Sequence, residues 1–276
     1  MRIAKAHGLG NDFLLAAEEV CPEGASSWAR RLCDRHAGLG ADGVVVYGLG
    51  GGRARMRLIN ADGSDAEISG NGLRCLGAYL VHCGQAPASH VVETAAGPRA
   101  VFVAPAGGTR FRVTADLGTP VVDSRSVPVL LEPPADRVVG HVLDVAGERV
   151  EVTATSMGNP HCAVFGERPP DDGELARLGA ALEVHPFFPR RTNVEFVTVV
   201  GPGELRVRFW ERGVGYTRAS GTGAASAAVA SVLTGRCGRS VRVVCDGGVL
   251  EVDWPEGGTL RQVGEVEILF EGEWLV

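Results

Sequence analysis

The stretch "ISGNGLRCLGAYLVHCG" (68–84) combines a glycine-rich turn with an apolar segment of helical character. Ser69 is a favourable N-cap residue, and small or apolar residues cover most faces of the helix predicted over 72–84. A helix without a polar face is usually buried. The stretch therefore predicts a helix in the middle of a domain, whose N-terminal N–H groups are suited to bind an anion.

A second stretch repeats this pattern later in the chain. Ser220-Gly221-Thr222-Gly223 opens another small-residue helix, "GAASAAVASVLTGR" (223–236), 151 residues after the first motif. Gly97 and Gly248 each follow the Ser of their own motif by 28 residues. A shared order of helix, strand, glycine turn and strand predicts a duplicated fold. Chance similarity between glycine-rich turns is the alternative.

Most of the remaining chain has the pattern of β-strands. Segments rich in β-branched residues and bounded by Gly or Pro predict strands at 43–49, 54–59, 99–104, 110–117, 148–156, 194–200, 204–212 and 240–246. One amphipathic helix is predicted over 26–36, with a Ser N-cap. Gly and Pro near 117–123 indicate a boundary between the two halves, and 125–137 is expected to be an exposed connection.

Composition and charge exclude several classes of protein. The 276 residues are 45% hydrophobic, which is enough for real cores, and the net charge of −6 comes without a basic block. This argues against nucleic acid or an anionic membrane as the main partner. No secretory signal and no membrane-spanning run is visible. The seven cysteines include no CxxC pair and no zinc-type cluster, so a reduced, cytoplasmic protein without a metal is expected.

The paired motifs suggest a specific kind of chemistry. Two glycine-rich helix N-termini in related halves could together hold one carboxylate, which would place Ser69 and Ser220 on opposite sides of the ligand. That arrangement suits removal of a proton from one face of a carbon and its return to the other face. The groups involved must titrate near neutral pH. A Cys thiol at a helix N-terminus does so, whereas a Ser hydroxyl is a much poorer base.

Longer motifs connect the chain to a known family. They are "HGLGNDF" (7–13), "DRHAGLGADG" (34–43), "NADGSDAEISGNGLRC" (60–75), "MGNPHCAVF" (157–165), "RTNVEFV" (191–197) and "WERGVGYTRASGTGA" (210–224). In these segments, which run nearly from end to end, the chain resembles the diaminopimelate epimerases. Tyr216 is a departure, since many members have Glu there.

The resemblance implies an α+β fold of two pseudo-symmetric domains, each a β-barrel-like sheet around a central helix. The implied boundaries are 1–118, completed by a C-terminal strand at 265–276, and 119–264, with the active site in the cleft between the domains. It implies a cytoplasmic homodimer without cofactor or metal. The implied reaction is epimerisation of LL- to meso-diaminopimelate by two-base proton transfer at Cα, in lysine and peptidoglycan precursor synthesis.

The family's two catalytic cysteines correspond to Ser69 and Ser220. General replacement of cysteine does not explain this, because Cys75 and Cys162 remain at nearby motif positions. Three interpretations stay open: serines introduced in place of both cysteines, a natural Ser/Ser relative with altered chemistry such as a racemase of another amino acid, and a homologue that binds an amino acid without turnover. In any of them, turnover of diaminopimelate is expected to be weak or absent.

The substrate-binding set implied by the resemblance is more complete. The distal amino-acid head of diaminopimelate is assigned to Asn11, Asn60, Asn159, Asn193, Glu211 and Arg212, and the proximal carboxylate to the backbone of Gly70, Asn71, Gly72, Gly221 and Thr222. Arg can bind a carboxylate with paired hydrogen bonds, Glu suits an ammonium group, and Asn offers donors and acceptors. Glu67 and His161 are candidate supporting residues; for His161 a structural hydrogen bond is the alternative.

Overall fold

The computed structural model describes residues 1–66 and 68–275. Two compact units make up the chain: residues 1–116 together with 263–276, and residues 117–262. Both combine a mainly antiparallel sheet with few helices, so the α+β class expected from the sequence is confirmed.

Strands outnumber helices in both halves of the described chain. The first half contains β1 (Arg2–Gly8), β2 (Asn11–Ala17), a short 3-10 helix (Glu18–Val20), α1 (Ala25–Cys33), β3 (Gly43–Gly50), β4 (Arg53–Asn60), β5 (Asp65–Ala66), α2 (Gly70–His82), β6 (Ser89–Thr94), β7 (Gly97–Gly107) and β8 (Arg110–Gly118). The rest contains β9 (Val138–Val145), β10 (Glu148–Ser156), β11 (Pro160–Phe165), α3 (Asp172–Glu183), β12 (Asn193–Gly201), β13 (Glu204–Glu211), β14 (Gly215–Thr217), α4 (Gly221–Leu233), β15 (Ser240–Cys245), β16 (Gly248–Asp253) and β17 (Leu260–Glu273).

The first unit is a closed barrel around α2. Eight strands pair in the cyclic order β1–β2–β3–β4–β6–β7–β8–β17, and β17 closes the barrel by pairing with β1 and β8. Helix α2 packs against β1, β2, β3, β6 and β7. Every residue of α2 from Gly70 to Leu80 is buried, as the absence of a polar face predicts.

The second unit places α4 in the same relation to its own sheet. The strands pair in the order β9–β10–β11–β12–β13–β15–β16, and α4 packs against β10, β11, β12, β13, β15 and β16. Helix α3 contacts β9, β12, β13 and β14. Its side chains Leu175, Leu178 and Leu182 join an apolar cluster with Phe187, Phe188 and Phe196.

The two units repeat one topology, which confirms the predicted duplication. The parallel pair β2·β3 recurs as β11·β12, and the parallel pair β4·β6 recurs as β13·β15. Strand β6 begins at Ser89 and β15 begins at Ser240, the same spacing of 151 residues as the two Ser-Gly-x-Gly motifs. Matched pairing over whole strands rules out the chance similarity of glycine-rich turns.

Some predicted boundaries are wrong, for local physical reasons. Helix α1 begins at Ala25 with Gly24 as N-cap, so the Ser N-cap assigned to it is incorrect. It ends at Cys33 because the Asp34 carboxylate accepts hydrogen bonds from the N–H groups of His36 and Ala37 and turns the chain. Helices α2 and α4 begin two residues before the predicted 72 and 223, since their motif glycines are already helical.

The segment 125–137 differs from the exposed connection that was expected. Val127 and Val129 are buried in the apolar cluster of the second unit, while Leu130 is exposed. Alternate apolar side chains of this segment therefore cover the core although it forms no regular element. Within the described residues, no helix is both long and apolar enough to cross a bilayer.

Candidate active site

The N-terminus of α2 is capped by Ser69. Its backbone is extended, with φ −132° and ψ 122°, and its Oγ accepts a hydrogen bond from Gly72 N at 3.1 Å. A Cβ on Gly72 would lie 3.2 Å from the terminal methyl of Met56, so a larger residue would crowd this turn. The first turn of α2 thus presents backbone N–H groups and one hydroxyl at the positive end of the helix dipole.

The N-terminus of α4 has nearly the same geometry. Ser220 has φ −132° and ψ 124°, and its Oγ accepts a hydrogen bond from Gly223 N at 3.3 Å. A Cβ on Gly223 would meet the Phe209 ring at 2.9 Å, which excludes a side chain there. Two positions that the sequence motif equates therefore share backbone conformation and capping bond, each on its own helix.

Three residues of the first unit lie on one hydrogen-bonded path. Asn71 Nδ2 donates to Asn11 Oδ1 at 2.9 Å, and Asn11 Nδ2 donates to Asp42 Oδ2 at 2.7 Å. The buried guanidinium of Arg74 donates to Asn71 Oδ1. These contacts fix the side chain of Asn71 at the start of α2 and orient the amide of Asn11, two residues that the sequence assigned to the site.

Asn60 has a different local role. Its Nδ2 donates to Ser64 Oγ at 3.0 Å, its N–H donates to Ser64 O at 2.8 Å, and its carbonyl accepts from Gly63 N at 2.9 Å. Asn60 therefore closes the turn after β4. Ala61, the next residue, donates from its N–H to Asp42 O at 3.0 Å, so this turn adjoins the Asn11–Asp42 contact.

Charged groups support this part of the first unit. Asp12 accepts from Lys5 Nζ at 2.9 Å and from Arg35 Nη2 at 2.8 Å, and Arg35 also contacts Asp42 at 2.8 Å. Burial alone would raise the pKa of Asp12, but the hydrogen bonds from Arg35 and Lys5 outweigh it and hold the pKa below its usual value. Asp42 keeps a raised pKa, chiefly because it is buried.

Three predicted residues of the second unit lie at the starts of β11 and β12 and the end of β13. Asn193, the first residue of β12, accepts on Oδ1 from Arg212 N at 3.0 Å and donates from Nδ2 to Pro160 O at 2.9 Å. Asn159 directly precedes Pro160, and its Oδ1 lies 2.9 Å from His161 Nε2. The amide of Asn193 thus joins the Asn159 segment to the Arg212 segment.

Glu211 and Arg212 stand at the end of β13 and are both partly buried. Glu211 Oε1 accepts from Thr217 Oγ1 at 2.7 Å, and Arg212 Nη1 donates to Arg190 O at 3.3 Å. Their contacts are therefore those of an ordered strand end rather than of a loose surface pair. Tyr216 is exposed and donates from its hydroxyl to Asp246 Oδ2 at 3.0 Å.

His161 is fully buried, with both ring nitrogens facing oxygen atoms. Nδ1 lies 2.7 Å from Glu195 Oε1, and Nε2 lies 2.9 Å from Asn159 Oδ1. Burial raises the pKa of Glu195, and the nearby His161 partly offsets that effect. Ser226 of α4 donates to Glu195 Oε2 at 3.4 Å, so this buried group connects α4 to β11 and β12. The structural hydrogen bond considered for His161 is present.

The cysteines near the motifs are packing residues. Cys75 is fully buried in α2, and burial raises its thiol pKa to about 12. Cys162 is also fully buried, and its pKa is raised for the same reason. A thiol of that kind is inert near neutral pH. Neither cysteine is therefore suited to proton transfer.

The sequence did not identify the residues that hold the predicted site residues in place. Asp42 and Glu195 both lie inside motifs that carried the family resemblance. The motif sequences do not show that Asp42 orients Asn11 or that Glu195 orients His161. For Glu195 a signal existed, since a lone carboxylate within the apolar strand "NVEFV" is expected to have a partner.

Two further sequence predictions concern Glu67, as a supporting residue, and the absence of a metal. Glu67 lies outside the described residues. Within residues 1–66 and 68–275, no group of three or more His, Cys, Asp or Glu side chains is arranged to hold a metal ion. The prediction that residues of both units serve one site stays a prediction.

Comparison with known proteins connects this geometry to a family. The family model described as diaminopimelate epimerase matches residues 3–122 and 153–269. A diaminopimelate epimerase of Desulforudis audaxviator is 46% identical, covering 100% of this chain and 99% of that protein. One of Pelotomaculum thermopropionicum is 43% identical, covering 99% of both chains.

Solved structures show the same fold at low identity. A hydroxyproline epimerase from Agrobacterium vitis matches with a TM-score of 0.73 and 16% identity, over 99% of this chain and 91% of that one. A phenazine biosynthesis protein from Bacillus anthracis matches with a TM-score of 0.67 and 14% identity, over the full length of both chains. With a duplicated topology, two Ser-capped central helices and relatives this similar over their whole length, the chain belongs to the diaminopimelate epimerase family.

Proposed function

We propose that this chain binds diaminopimelate and epimerises it between the LL and meso forms, with turnover limited by its two serines. The observation that carries the proposal is the pair of helix N-termini at Ser69 and Ser220, whose φ angles are equal and whose ψ angles differ by 2°. Full-length similarity to enzymes named diaminopimelate epimerase supports the choice of substrate.

The proposed reaction moves one proton off Cα and one proton onto it. One base removes the proton from one face, leaving a carbanion conjugated with the carboxylate, and the conjugate acid of the second base protonates the other face. The net result is inversion without oxidation or reduction. The residues at 69 and 220 are assigned to these two transfers, and the N–H groups of Gly70, Asn71, Gly72, Gly221 and Thr222 to the carboxylate. The N–H of Gly72 donates to Ser69 Oγ in the free protein, so it would share or release that bond when the carboxylate binds.

The hydroxyls limit the rate under this proposal. Removing a matched general acid or base costs about 10²–10⁴-fold in rate. The Oγ atoms of Ser69 and Ser220 each accept a backbone N–H, a contact that does nothing to activate a hydroxyl as a base. We therefore expect slow or undetectable turnover from the Ser/Ser chain and strong recovery on restoring both thiols.

The distal head of the substrate is assigned to the residues ordered in the two units. Asn159, Asn193, Glu211 and Arg212 offer amide, carboxylate and guanidinium groups at the ends of β11, β12 and β13, and Asn11 and Asn60 offer amides in the first unit. This mixture suits a group that carries both an ammonium and a carboxylate. His161 would act in this proposal through Asn159, since its Nε2 faces that side chain.

The test is deuterium incorporation at Cα. LL- and meso-diaminopimelate are incubated in heavy water with the parent chain and with Ser69→Cys/Ser220→Cys, and exchange is followed by NMR. The double variant is expected to exchange both isomers, and each single variant much less. If neither isomer exchanges with the double variant, the epimerase proposal is wrong; near-normal turnover by the parent would overturn the assigned role of the thiols.

A second candidate is binding of an amino acid without turnover. It is favoured by Ser at both positions where the resemblance implies catalytic Cys, while Cys75 and Cys162 are present. A racemase for a different amino acid is the related alternative. Calorimetric titration of the parent with diaminopimelate and with other amino acids separates them. Tight binding of diaminopimelate, without recovery of exchange in the double Cys variant, would favour the binding protein.

Further properties of the proposed enzyme follow the family expectation. We infer a cofactor-independent, cytoplasmic homodimer that supplies lysine and peptidoglycan precursor synthesis. All seven cysteines are free thiols, as in a reducing compartment. Light scattering on the purified chain tests the dimer: the mass of one 28.9 kDa chain would contradict it.

A further inference from the structure

Glu183, the last residue of α3, has a buried carboxylate and is not among the predicted site residues. Its Oε1 accepts from Gly213 N at 2.8 Å, and its Oε2 accepts from Trp210 Nε1 at 2.8 Å. The guanidinium of Arg191 also pairs with Oε1. Three donors from two separate segments of the second unit therefore converge on one side chain that is only 6% exposed.

The main chain of Glu183 adds a fourth contact. Its carbonyl accepts from Thr192 N at 3.1 Å. Arg191, just before Thr192, has φ +59°, a left-handed conformation that non-glycine residues adopt only when their surroundings impose it. The contacts of Glu183 with Arg191 and Thr192 thus help to hold the chain in the turn that leads into β12.

These contacts sit on either side of two residues assigned to the distal head. Asn193 follows Thr192, and Arg212 precedes Gly213. The two are joined by the 3.0 Å bond from Arg212 N to Asn193 Oδ1. Glu183 therefore fixes one neighbour of Asn193 and one neighbour of Arg212, and so sets the relative position of both.

The contacts of Glu183 with Arg191, Thr192, Trp210 and Gly213 form a clamp. The repeat shows that the fold does not require this clamp. Helices α1 and α3 end at Cys33 and Glu183, and β3 and β12 begin at Gly43 and Asn193, with the same offset of 150 residues. The first unit forms the same strand pairs with a thiol in place of the carboxylate. A buried carboxylate is costly unless it is fully hydrogen-bonded, so its use at the end of α3, where the end of α1 has a thiol, points to a specific role.

We propose that Glu183 is a positioning residue for the distal-head pocket, holding Asn193 and Arg212 where they recognise the second amino-acid head. The inference rests on the proposed function for the identity of the ligand. Only a carboxylate fits the arrangement, because a Gln amide would turn its NH₂ group toward a donor on one side or the other. The isosteric change therefore disrupts the clamp without removing volume.

The test compares Glu183→Gln with the matched control Glu174→Gln, on the same helix but away from the clamp. Meso-diaminopimelate is titrated calorimetrically into each, beside norleucine, which lacks the distal head. Glu183→Gln is expected to weaken diaminopimelate binding about tenfold or more and to change norleucine binding less than about twofold. In the Ser69→Cys/Ser220→Cys background, KM should rise with little change in kcat.

Amide hydrogen exchange makes the result independent of substrate identity. The amide of Gly213, which bonds to the carboxylate, should exchange at least about tenfold faster in Glu183→Gln than in Glu174→Gln. The amide of Thr192, which bonds to the main-chain carbonyl of Glu183, should exchange faster to a smaller extent as the Arg191 turn loosens, while the amides of α4 stay equal. If diaminopimelate affinity and these exchange rates match the control, Glu183 is not a positioning residue, whatever the melting temperature does. If the unsubstituted chain binds no diaminopimelate, the proposed function fails and the pocket assignment fails with it. Faster exchange at Gly213 in Glu183→Gln would then show only that Glu183 orders the Gly213 segment.

Discussion

At the scale of single residues, the predicted site residues of each unit are held in place by hydrogen bonds with their neighbours. Asn71 orients Asn11, and Asn193 orients the Arg212 segment. The two serines differ from these residues, because the Oγ of each accepts a backbone N–H of its own helix. Replacing Oγ by Sγ therefore leaves the Asn11–Asn71 contact of the first unit and the Asn193 contacts of the second unit intact, which is why the thiol variants are expected to fold normally.

Asp12 provides a pH-dependent test of the first unit. Its folded pKa lies below the unfolded value of ~3.9, so the carboxylate stabilises the fold above that pH and the contribution is lost as pH falls through the folded pKa. Asp12→Asn should lower the free energy of unfolding by about 1–3 kcal/mol at pH 7, because Lys5 loses its carboxylate partner and Arg35 keeps only Asp42.

Urea denaturation at several pH values measures this effect. The difference between Asp12→Asn and the parent should shrink below pH ~4, whereas the exposed control Asp253→Asn should differ little from the parent at any pH. A cost for Asp12→Asn that stays constant down to pH ~2 would contradict the salt-bridge explanation.

Thiol reactivity tests the assignment of Cys75 and Cys162 to packing. Both are fully buried, and the pKa of Cys75 is raised to about 12, so the thiolate that reacts with iodoacetamide is nearly absent at pH ~8. Mass spectrometry of the native protein should find both unlabelled while the partly exposed Cys21 is modified. All three should react in urea; native labelling of Cys75 as fast as Cys21 would refute the packing role.

At the scale of elements, the two central helices are equivalent in position but not in packing. Gly77 of α2 and Ala228 of α4 occupy matching places in the repeat. A Cβ on Gly77 would lie 2.6 Å from Val101 Cγ1 of β7, so α2 approaches its sheet too closely for a methyl group. Each helix therefore has its own fit to the surrounding strands, within a common topology.

Gly77→Ala is expected to destabilise the protein by about 1–3 kcal/mol, even though Ala favours the helix by about 1 kcal/mol over Gly. The clash with Val101 is the reason, so the matched experiment places Gly77→Ala in a Val101→Ala background. There the substitution should be neutral or stabilising. An equal cost in both backgrounds, measured by urea denaturation, would show that Val101 is not responsible.

The sequence predicted elements well where one periodicity was strong and poorly where packing decided. Strand β10 was predicted with its observed bounds, and both central helices were found from their small and apolar residues. Helix α3 was missed because "DDGELARLGAALE" follows a Pro pair and has a modest apolar face. The Ser cap given to α1 failed because Gly24 precedes the helix and Ser27 bonds back to Gly24 O.

At the scale of the whole chain, the family and the duplicated fold could be predicted from motifs, but the clamp at Glu183 could not. Its donors are Arg191, Trp210 and Gly213, which stand 8, 27 and 30 residues further along the chain. No periodicity or spacing rule connects such positions. They meet only because α3 packs against β12 and β13, which is a property of the folded unit.

The C-terminal strand completes the sheet of the first unit. Residues 263–276 belong to the first unit, where β17 pairs with β1 from Arg2–Glu273 to His7–Glu267 and also pairs with β8. Without β17 the barrel would have two open edges, and unpaired strand edges lose exchange protection and promote association.

Truncation after Gln262 should therefore raise amide exchange in β1 and β8 by orders of magnitude and cause self-association, as measured by exchange mass spectrometry and light scattering. Truncation after Glu273 is the matched control, since it keeps all of β17 and removes residues 274–276, with the contacts of Trp274 to Met1 and to the apolar cluster of the first unit. If β1 stays protected after the longer truncation, β17 is a late addition to a sheet that is stable without it. If both truncations expose β1 equally, the contacts of Trp274 with Met1 and the apolar cluster hold the barrel closed rather than the strand itself.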